Sequence, residues 1–240
     1  MLADPASPEA AWHDRRFLPP GVAYSHWAAT YDAPGNPVVD GEEPVMREIL
    51  SGLAAGTALD AGAGTGRQSA LLHQLGHEVI ALDANRAMLA VLRERMRGVA
   101  AVQASLEALP LGDRSLDLVV CSLALTHVSR LEPAMREFRR VVRPGGHIVL
   151  SDVHPVFVMV GVQAAFNDGD GRRFWTRNET HWPSDYLRAF RESGLTVERC
   201  EELPCPTGVF EQRPGAAAEV VDIALAGVPM VLIWVLSVPR

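Results

Sequence analysis

The sequence predicts an α/β protein built on a parallel β-sheet. Between residues 57 and 151, short apolar runs that suit strands alternate with segments of helical spacing. The first of these runs ends in a glycine-rich turn, Asp60–Gly66, which leads directly into a helical segment. Strands that alternate with helices in this way are typical of parallel sheets that helices cover on both faces.

The individual elements follow from the apolar runs and from the residues that end them. Residues 43–53 are predicted to form a first helix, because Val45, Ile49 and Leu53 would share one face. The predicted strands of the alternating region are 57–61, 77–82, 100–104, 115–121 and 147–151. Its predicted helices are 68–75 and 87–97, each followed by glycine, and 131–142. The tail is predicted to contain a helix at 184–193 and strands at 195–200 and 228–238.

Segments rich in Pro, Gly and aromatic residues flank and interrupt this α/β region. Residues 1 to about 20 are predicted to form a mobile arm, and a helical pattern follows through Trp27 and Tyr31. We therefore divide the chain into an N-terminal arm and helical cover, residues 1–44, and a ligand-binding domain, residues 45–240. Insertions at about 156–182 and 203–219 are predicted to line a substrate site, because long irregular segments are often lids or substrate loops.

Length, charge and cysteine content exclude several classes of protein. The 240 residues (26.0 kDa) suit one large domain, or one domain with a small cap. The net charge of −7 argues against a protein that binds nucleic acid mainly by neutralising phosphates. The three cysteines cannot form a disulfide framework, and no spacing typical of a metal site occurs. The chain lacks a signal peptide and a membrane-spanning run, so we predict a cytoplasmic protein with no membrane partner.

The glycine-rich turn is the most informative motif in the sequence. Glycines at positions 62, 64 and 66 permit a left-handed backbone and the close approach of a ligand. A dinucleotide-binding turn, G-x-G-x-x-G, would need glycine at position 67 or 69, where this chain has Arg67 and Ser69. A glycine-rich turn that binds no ligand is the structural alternative.

Asp83 provides a second candidate ligand-binding group. It ends the second predicted strand, where a carboxylate can accept hydrogen bonds from both hydroxyls of a ribose. The same position is also typical of a helix N-cap, for which Asn85 is the better candidate.

The spacing G-x-G-x-G, preceded by Asp60, resembles class I S-adenosylmethionine (SAM)-dependent methyltransferases. Three further segments resemble this family in the same order along the chain: Trp27–Asp32, Leu109–Val119 and Arg143–Gly146. The resemblance implies a Rossmann-like methyltransferase fold with a seven-stranded, mostly parallel sheet, helices on both faces and a last antiparallel strand. It also implies SAM as the cofactor, S-adenosylhomocysteine as its product, and a small-molecule acceptor of the kind used by a bacterial subgroup.

The resemblance implies a set of residues at the methionine and ribose parts of SAM. The turn glycines would lie beneath the methionine part, with Asp60 near its ammonium group and Asp83 at the ribose. Ser122 and Leu123 would lie near the sulfonium. Carboxylates around a cofactor that carries two positive groups are electrostatically favourable.

The same resemblance implies contacts to the adenine from Met88 and from the backbone of Leu106. Where the family often has Asp against the adenine amino group, this chain has Ser105, which makes a weaker hydrogen bond. The full predicted cofactor set is Tyr31, Asp60, Gly62, Gly64, Gly66, Asp83, Ala84, Met88, Ser105, Leu106, Ser122 and Leu123.

Three histidines are candidates for proton transfer. His127 follows the fourth predicted strand, His154 follows the fifth, and His181 precedes the late helix. Ligands of such sheets bind at the carboxyl ends of the strands. The segments around His154 and His181 also resemble acceptor-lining loops of the bacterial small-molecule subgroup, and we rank His154 first and the other two behind it. A structural hydrogen bond is the alternative for each. Methyl transfer is an in-line displacement that needs a base only when the acceptor keeps its proton.

Aromatic residues of the two insertions are predicted to line an apolar acceptor pocket. The predicted pocket residues are Phe157, Trp175, Trp182 and Tyr186. The wider cluster also includes Met159, Phe166, Phe174 and Phe210. Packing into the core of a cap is the alternative for these side chains. The arginines at 172, 173 and 177 are interpreted as a solvated face, with contact to an anionic acceptor as the alternative.

The predicted function is the transfer of a methyl group from SAM to an oxygen, nitrogen or carbon atom of a small organic molecule. The protein is expected to be a monomer or homodimer with no nucleic-acid partner and no metal. One alternative uses SAM as electrostatic support for a cyclisation or rearrangement. Another alternative is a regulatory protein that binds SAM without catalysis.

Overall fold

The structure is a computed structural model, and it describes residues 17–167, 172–209 and 217–240. Its helices are α1 (Pro20–Trp27), α2 (Pro37–Ser51), α3 (Arg67–Gln74), α4 (Arg86–Arg95), α5 (Leu131–Val141), α6 (Pro155–Met159), α7 (Pro183–Glu192) and α8 (Ala217–Leu225). Its strands are β1 (Thr57–Ala61), β2 (Glu78–Asp83), β3 (Ala100–Gln103), β4 (Leu116–Ser122), β5 (Val142–Val153), β6 (Ala164–Asn167), β7 (Arg173–Thr176), β8 (Thr196–Pro204) and β9 (Pro229–Ser237). Within the described residues, every helix is too short or too polar to cross a membrane.

Seven strands form one sheet in the order β3-β2-β1-β4-β5-β9-β8. Neighbouring strands from β3 to β5 are parallel, whereas β9 runs antiparallel to both β5 and β8. The predicted seven-stranded sheet with a last antiparallel strand is therefore confirmed. After β1 the chain moves to one side of the sheet, and β4 lies on the other, so a crevice forms beside the carboxyl ends of these strands.

Apolar side chains cover both faces of the sheet, as predicted. On one face, Leu50 of α2 and Leu72 of α3 belong to the same buried cluster as Val231 of β9. On the other face, Phe138 of α5 and Phe190 of α7 are fully buried against the strands. Burying a side chain of this size contributes about 1.5–3 kcal/mol to folding, so these clusters hold the helices onto the sheet.

Helix α2 begins at Pro37, earlier than the predicted start at Glu43. Asn36 caps the helix by accepting a hydrogen bond from the backbone N–H of Val38 at 3.2 Å, and proline suits the first helical turn. The prediction followed only the apolar face and missed this cap. As a result, α2 crosses residue 44, the predicted limit of the helical cover.

Strand β5 also begins earlier than predicted, at Val142 instead of residue 147. Val142 pairs with Leu116 of β4, and the register then shifts before His147 pairs with Leu118. A turn of proline and glycine, Pro144–Gly146, lies between these two pairings. It is an irregularity within a longer paired strand.

The insertion predicted to be irregular at 156–182 contains helix α6 and the antiparallel hairpin β6–β7. Phe166 and Phe174 face each other across the hairpin with ring centroids 5.6 Å apart. Trp27 of α1 stacks on Phe166 at 5.5 Å, so the hairpin packs against the N-terminal cover. Phe210 and most of the predicted mobile arm lie outside the described residues.

The turn after β1 requires glycine for two separate reasons. Gly62 has a φ of +76°, a left-handed conformation that strains other residues. Its backbone N–H donates to the carbonyl of Leu82 at 2.7 Å, which fixes the turn against the end of β2. A Cβ atom on Gly62 would also lie 2.5 Å from the Cβ of Ala124, where no real contact is tolerated.

We predict that Gly62→Ala destabilises the fold more than Gly98→Ala. Gly98 has a φ of +100°, but a Cβ atom there would have no neighbour within 4 Å. Gly98→Ala should therefore lower the free energy of unfolding by about 1–2 kcal/mol through backbone strain alone. Gly62→Ala should lower it by roughly 1–3 kcal/mol more through the added clash. Urea denaturation measures both values, and equal losses would contradict the proposed steric constraint.

Candidate functional site

The carboxylate of Asp83 is held in one orientation beside the glycine turn. Its Oδ2 accepts a hydrogen bond from the N–H of Gly64 at 2.8 Å, and its Oδ1 accepts one from the N–H of Asn85 at 2.7 Å. Burial raises its pKa, and these two backbone donors oppose the rise. Each oxygen keeps a further lone pair, so the group can accept two more hydrogen bonds in a fixed direction.

Asn85 links the start of α4 to the N-terminal cover. Its Oδ1 accepts from the N–H of Ala87 at 2.9 Å, which confirms the predicted N-cap. Its Nδ2 donates to the carbonyl of Gly21 at 2.8 Å and to the hydroxyl of Ser25 at 3.0 Å. Helix α1 is thereby hydrogen-bonded to Asn85, which lies two residues after the ribose-binding candidate Asp83.

Asp60 lies beneath the turn and is closed off from the surface, with only 1% of its area exposed. Its Oδ2 accepts a hydrogen bond from the hydroxyl of Ser69 at 2.6 Å. Burial raises its pKa to about 6, opposed by Ser69 and by the positive charge of Arg67. Asp60 is therefore hydrogen-bonded to helix α3 through Ser69. The sequence did not indicate this contact.

A buried polar cluster around the carboxylate of Glu42, at the edge of the sheet, was not predicted. Glu42 of α2 is fully buried and accepts hydrogen bonds from Arg67 at 2.9 Å and from Ser122 and Ser151. Gln68 also donates to it, at 3.4 Å. One signal was available, because Glu42 falls on the apolar face of α2, where an unpaired carboxylate would be costly.

Two atoms of this cluster have no hydrogen-bond partner among the described residues. They are Nη1 of Arg67, a charged donor, and Oε1 of Gln68, an acceptor, and both are buried. Buried polar atoms in native proteins are normally paired. A ligand with an acidic and a basic group at this position would satisfy both atoms.

The segment Trp27–Asp32, which we call the leader segment, folds over the glycine turn. Asp32 accepts a hydrogen bond from the hydroxyl of Thr65 at 2.8 Å and forms an ion pair with Arg95. Burial raises the pKa of Tyr31 to about 12, partly offset by the charge of Arg67. The predicted cofactor residue Tyr31 is therefore a neutral phenol beside the charged cluster.

The predicted adenine contacts lie in different surroundings. Met88 is buried, and its Cε lies 3.2 Å from the position that a Cβ on Gly64 would occupy, so it packs against the turn. Leu106 is partly buried against the core. Ser105 is exposed and accepts a hydrogen bond from the N–H of Glu107 at 3.1 Å within its own turn, and Ala84 is also exposed.

A cavity of about 630 Å³ lies beside the cluster around Glu42. Two predicted cofactor residues, Tyr31 and Leu123, form part of its wall. Leu123 has a φ of +55°, which is unusual for a leucine, and its N–H donates to the carbonyl of Ser151 at 2.8 Å. Strained residues of this kind cluster at ligand sites, because the surrounding structure has to hold them.

Most of the residues predicted to line the acceptor pocket lie outside this cavity. Phe157 lines the cavity, but Trp175, Trp182 and Tyr186 do not. Trp175 stacks on Phe17 at 5.9 Å, and Trp182 is 42% exposed at the start of α7. Tyr186 is a core residue whose hydroxyl donates to Asp152. These three residues therefore lie outside the described wall of this cavity, and the insertion supplies cavity residues mainly from the hairpin side, including Phe166.

Tyr186 and Asp152 form a buried pair outside the cavity. The hydroxyl of Tyr186 donates to Oδ2 of Asp152 at 2.8 Å. Burial raises the pKa of Asp152 to about 7, and the hydrogen bond from Tyr186 opposes the rise. Tyr186 therefore compensates a buried carboxylate, which explains why it faces the core.

His127 lies in the cavity wall and is paired with Tyr24. Its Nε2 lies 2.6 Å from the hydroxyl of Tyr24, and its Nδ1 lies 3.3 Å from the carbonyl of Arg177. Burial lowers the pKa of His127 to about 4 and raises that of Tyr24. Near pH 7 the imidazole is therefore neutral, with Nδ1–H donating to Arg177 and Nε2 accepting from Tyr24.

The other two histidines have structural hydrogen bonds and do not line the cavity. Nδ1 of His154 accepts from the N–H of Val156 at 3.2 Å, which caps α6, and its Nε2 lies 3.1 Å from Glu202. Nε2 of His181 donates to the carbonyl of Val128 at 2.8 Å. Of the three candidate histidines, His127 is therefore the one in the described wall of the cavity.

Comparison with known proteins identifies relatives that are methyltransferases. Residues 59–150 match a family model described as a methyltransferase domain. The chain is 35% identical over 158 residues to a malonyl-[acyl-carrier protein] O-methyltransferase of Methylococcus capsulatus, covering 60% of this chain and 54% of that protein. It is 37% identical over 100 residues to a demethylmenaquinone methyltransferase of Renibacterium salmoninarum, covering 41% of this chain and 42% of that protein. The chain spans about half, or less, of the length of these curated relatives.

A solved structure resembles most of the chain. A SAM-dependent methyltransferase from Mesorhizobium loti shares 27% identity with a TM-score of 0.62, covering 82% of this chain and 97% of that one. The family match includes β1, the glycine turn and the strands on both sides of it. With the observed sheet order, these similarities place the matched region, residues 59–150, in the class I SAM-dependent methyltransferases.

Proposed function

We propose that this protein transfers a methyl group from SAM to a small organic acceptor bound in the cavity. The observation that carries the proposal is the position of the cavity, whose wall contains Tyr31 and Leu123, two of the residues predicted at the cofactor. The relatives named above methylate different acceptors according to their names, so they support methyl transfer without selecting an acceptor.

The residues around the glycine turn fit the polar parts of SAM. The fixed carboxylate of Asp83 can accept hydrogen bonds from both ribose hydroxyls. The unpaired Nη1 of Arg67 suits the carboxylate of the methionine part, and the unpaired Oε1 of Gln68 suits its ammonium group. Glu42, beside both, adds negative charge that favours a cation.

When bound, SAM supplies a methyl group that is already activated by a positively charged sulfur. The protein therefore has to bind SAM and the acceptor, orient them and exclude water. Helix α1 and the leader segment cover the turn through Asn85 and Thr65. Covering the site in this way strengthens the electrostatic interactions inside it and keeps out water that would compete with the acceptor.

The Tyr24–His127 pair can remove a proton from the acceptor. Tyr24 lines the cavity and donates its hydroxyl hydrogen to Nε2 of His127. As the nucleophilic atom loses its proton to the Tyr24 oxygen, the tyrosine proton can pass to Nε2. Burial lowers the pKa of His127 to about 4, so the imidazolium releases this proton readily to solvent. The same low pKa makes neutral His127 a weak base, so the relay suits an acceptor that loses its proton easily.

We predict that Asp83→Asn weakens the binding of S-adenosylhomocysteine by about 10- to 100-fold, because one charged acceptor at the ribose is lost. Titration calorimetry measures the affinity, and circular dichroism checks the fold. Asp113→Asn is the matched control, because Asp113 is largely exposed and pairs only with Arg140 at the surface. Unchanged affinity in Asp83→Asn would refute the ribose role.

We predict that His127→Asn lowers turnover by about 10²–10⁴-fold and leaves S-adenosylhomocysteine affinity unchanged, as expected for a proton-transfer group. His154→Ala should lower the melting temperature by removing the α6 cap and leave turnover of the folded enzyme unchanged. Turnover is measured on a panel of phenols, amines and carbon acids by mass spectrometry.

The same measurement tests the reaction type. Products that gain one methyl group support methyl transfer, whereas isomeric products without S-adenosylhomocysteine would contradict it.

We predict that the imidazole of His127 titrates near pH 4 in the folded protein. In the unfolded chain it would titrate near about 6.5. The folded pKa is depressed, so this group's contribution to stability is complete above pH 6.5 and is lost as the pH falls towards 4. NMR titration of the imidazole measures the pKa, and urea denaturation at several pH values should show less acid sensitivity in His127→Asn. A midpoint near 6.5 would contradict burial of the ring.

A further inference from the structure

Two buried polar atoms in the cavity wall have no hydrogen-bond partner among the described residues. They are Oγ1 of Thr126 and Oδ1 of Asn178, on side chains that are 4% and 5% exposed. Both residues line the cavity of about 630 Å³. Most of the described wall is apolar or aromatic, and its other polar residues include Arg173 and Asn167. Thr126 and Asn178 differ from these in that their polar atoms are buried and unpaired.

The backbone holds the two residues side by side. The N–H of Glu179, next to Asn178, donates to the carbonyl of Thr126 at 2.7 Å. The N–H of Asn178 itself donates to Oε1 of Gln163 at 2.8 Å. His127 follows Thr126 and is bonded to the carbonyl of Arg177, which precedes Asn178. The two unpaired atoms therefore belong to one ordered part of the wall, beside the proposed proton-transfer pair.

An unpaired buried polar atom destabilises a protein by about 1–3 kcal/mol. Both unpaired atoms belong to residues of one cavity wall, which is consistent with a ligand that pairs with both. Thr176 also has a buried hydroxyl without a partner in the described part of the chain, but it does not line the cavity. Thr176 therefore provides an internal comparison for Thr126.

The chemistry of the pair selects the ligand group. Oδ1 of Asn178 can only accept a hydrogen bond, whereas the Thr126 hydroxyl can donate one. A hydroxyl group satisfies both, since it donates to Asn178 and accepts from Thr126. A carbonyl would leave Asn178 unpaired. An ammonium group would lack a counter-charge, because no Asp or Glu is found among the described cavity-lining residues.

We propose that Thr126 and Asn178 bind a hydroxyl group of the methyl acceptor, and that the acceptor is therefore a hydroxylated, otherwise mainly apolar molecule. This inference rests on the proposed function, since it takes the cavity to be the acceptor site. The pair anchors the acceptor and determines specificity. The reacting atom is placed next to Tyr24 and His127 by this anchor.

The test compares probes that differ only by a hydroxyl and a methyl group of similar size. Phenol is compared with toluene, and 2-naphthol with 2-methylnaphthalene, by titration calorimetry without cofactor, because the cavity is present in the protein alone. The hydroxylated member of at least one pair should bind about 10- to 100-fold more tightly, as expected when an unpaired buried group gains its partner.

Thr126→Val and Asn178→Leu keep the shape of the wall and remove the polar atoms. Each should bring the two affinities of a pair to within about threefold, chiefly by weakening the hydroxylated probe. Thr176→Val is the matched control. It also removes a buried unpaired hydroxyl, so it should preserve or raise the melting temperature, as Thr126→Val should, but it should leave the hydroxyl preference intact.

Equal affinities within both pairs would overturn the proposal, as would a preference that persists in Thr126→Val and Asn178→Leu. Failure of all four probes to bind would also overturn it. S-adenosylhomocysteine affinity is measured on the same proteins. If the hydroxyl preference behaves as expected but S-adenosylhomocysteine does not bind, the proposed function fails and the hydroxyl site stands. If S-adenosylhomocysteine binds and the preference is absent, only the hydroxyl site fails.

Discussion

The buried carboxylate of Glu42 is the interaction on which the candidate site depends. It receives hydrogen bonds from Arg67 and Gln68 at the start of α3, and from Ser122 and Ser151 at the ends of β4 and β5. A buried charge costs several kcal/mol unless it is paired and hydrogen-bonded. One side chain of the N-terminal region therefore joins α2 to three elements of the sheet edge. The crevice at this edge exists in its present shape because these groups have to meet.

Charge is distributed unevenly around this crevice. Carboxylates and one guanidinium gather on the glycine-turn side, through Asp60, Asp83, Glu42 and Arg67. The described wall of the neighbouring cavity contains no carboxylate. The cavity wall does contain one cation, Arg173. Under the proposed function, this separation matches a cofactor with two positive groups on one side and an acceptor without a positive charge on the other. The net charge of −7 does not reveal this uneven distribution, because the relevant carboxylates are few and their effect comes from position and burial.

The sequence predicted the fold better than the acceptor side of the site. Strands β1 to β4 and helices α3 to α5 were predicted to within two residues at each end, because their apolar runs and closing glycines are local signals. The hairpin β6–β7 was missed because its strands are only four residues long, and Phe166 finds part of its packing on Trp27 of α1. A contact between residues so far apart in sequence has no local signature.

The sequence by itself determined the parallel sheet, the glycine turn and the position of Asp83 at the end of β2. Each depends on residue type at a short spacing, which survives in any one-dimensional pattern. Only the tertiary structure decided that His127 faces the cavity while His154 caps a helix, and that Thr126 and Asn178 share a wall. The physical reason is that a position after a strand does not determine where the side chain points. That direction depends on which hydrogen-bond partners the rest of the fold brings within reach.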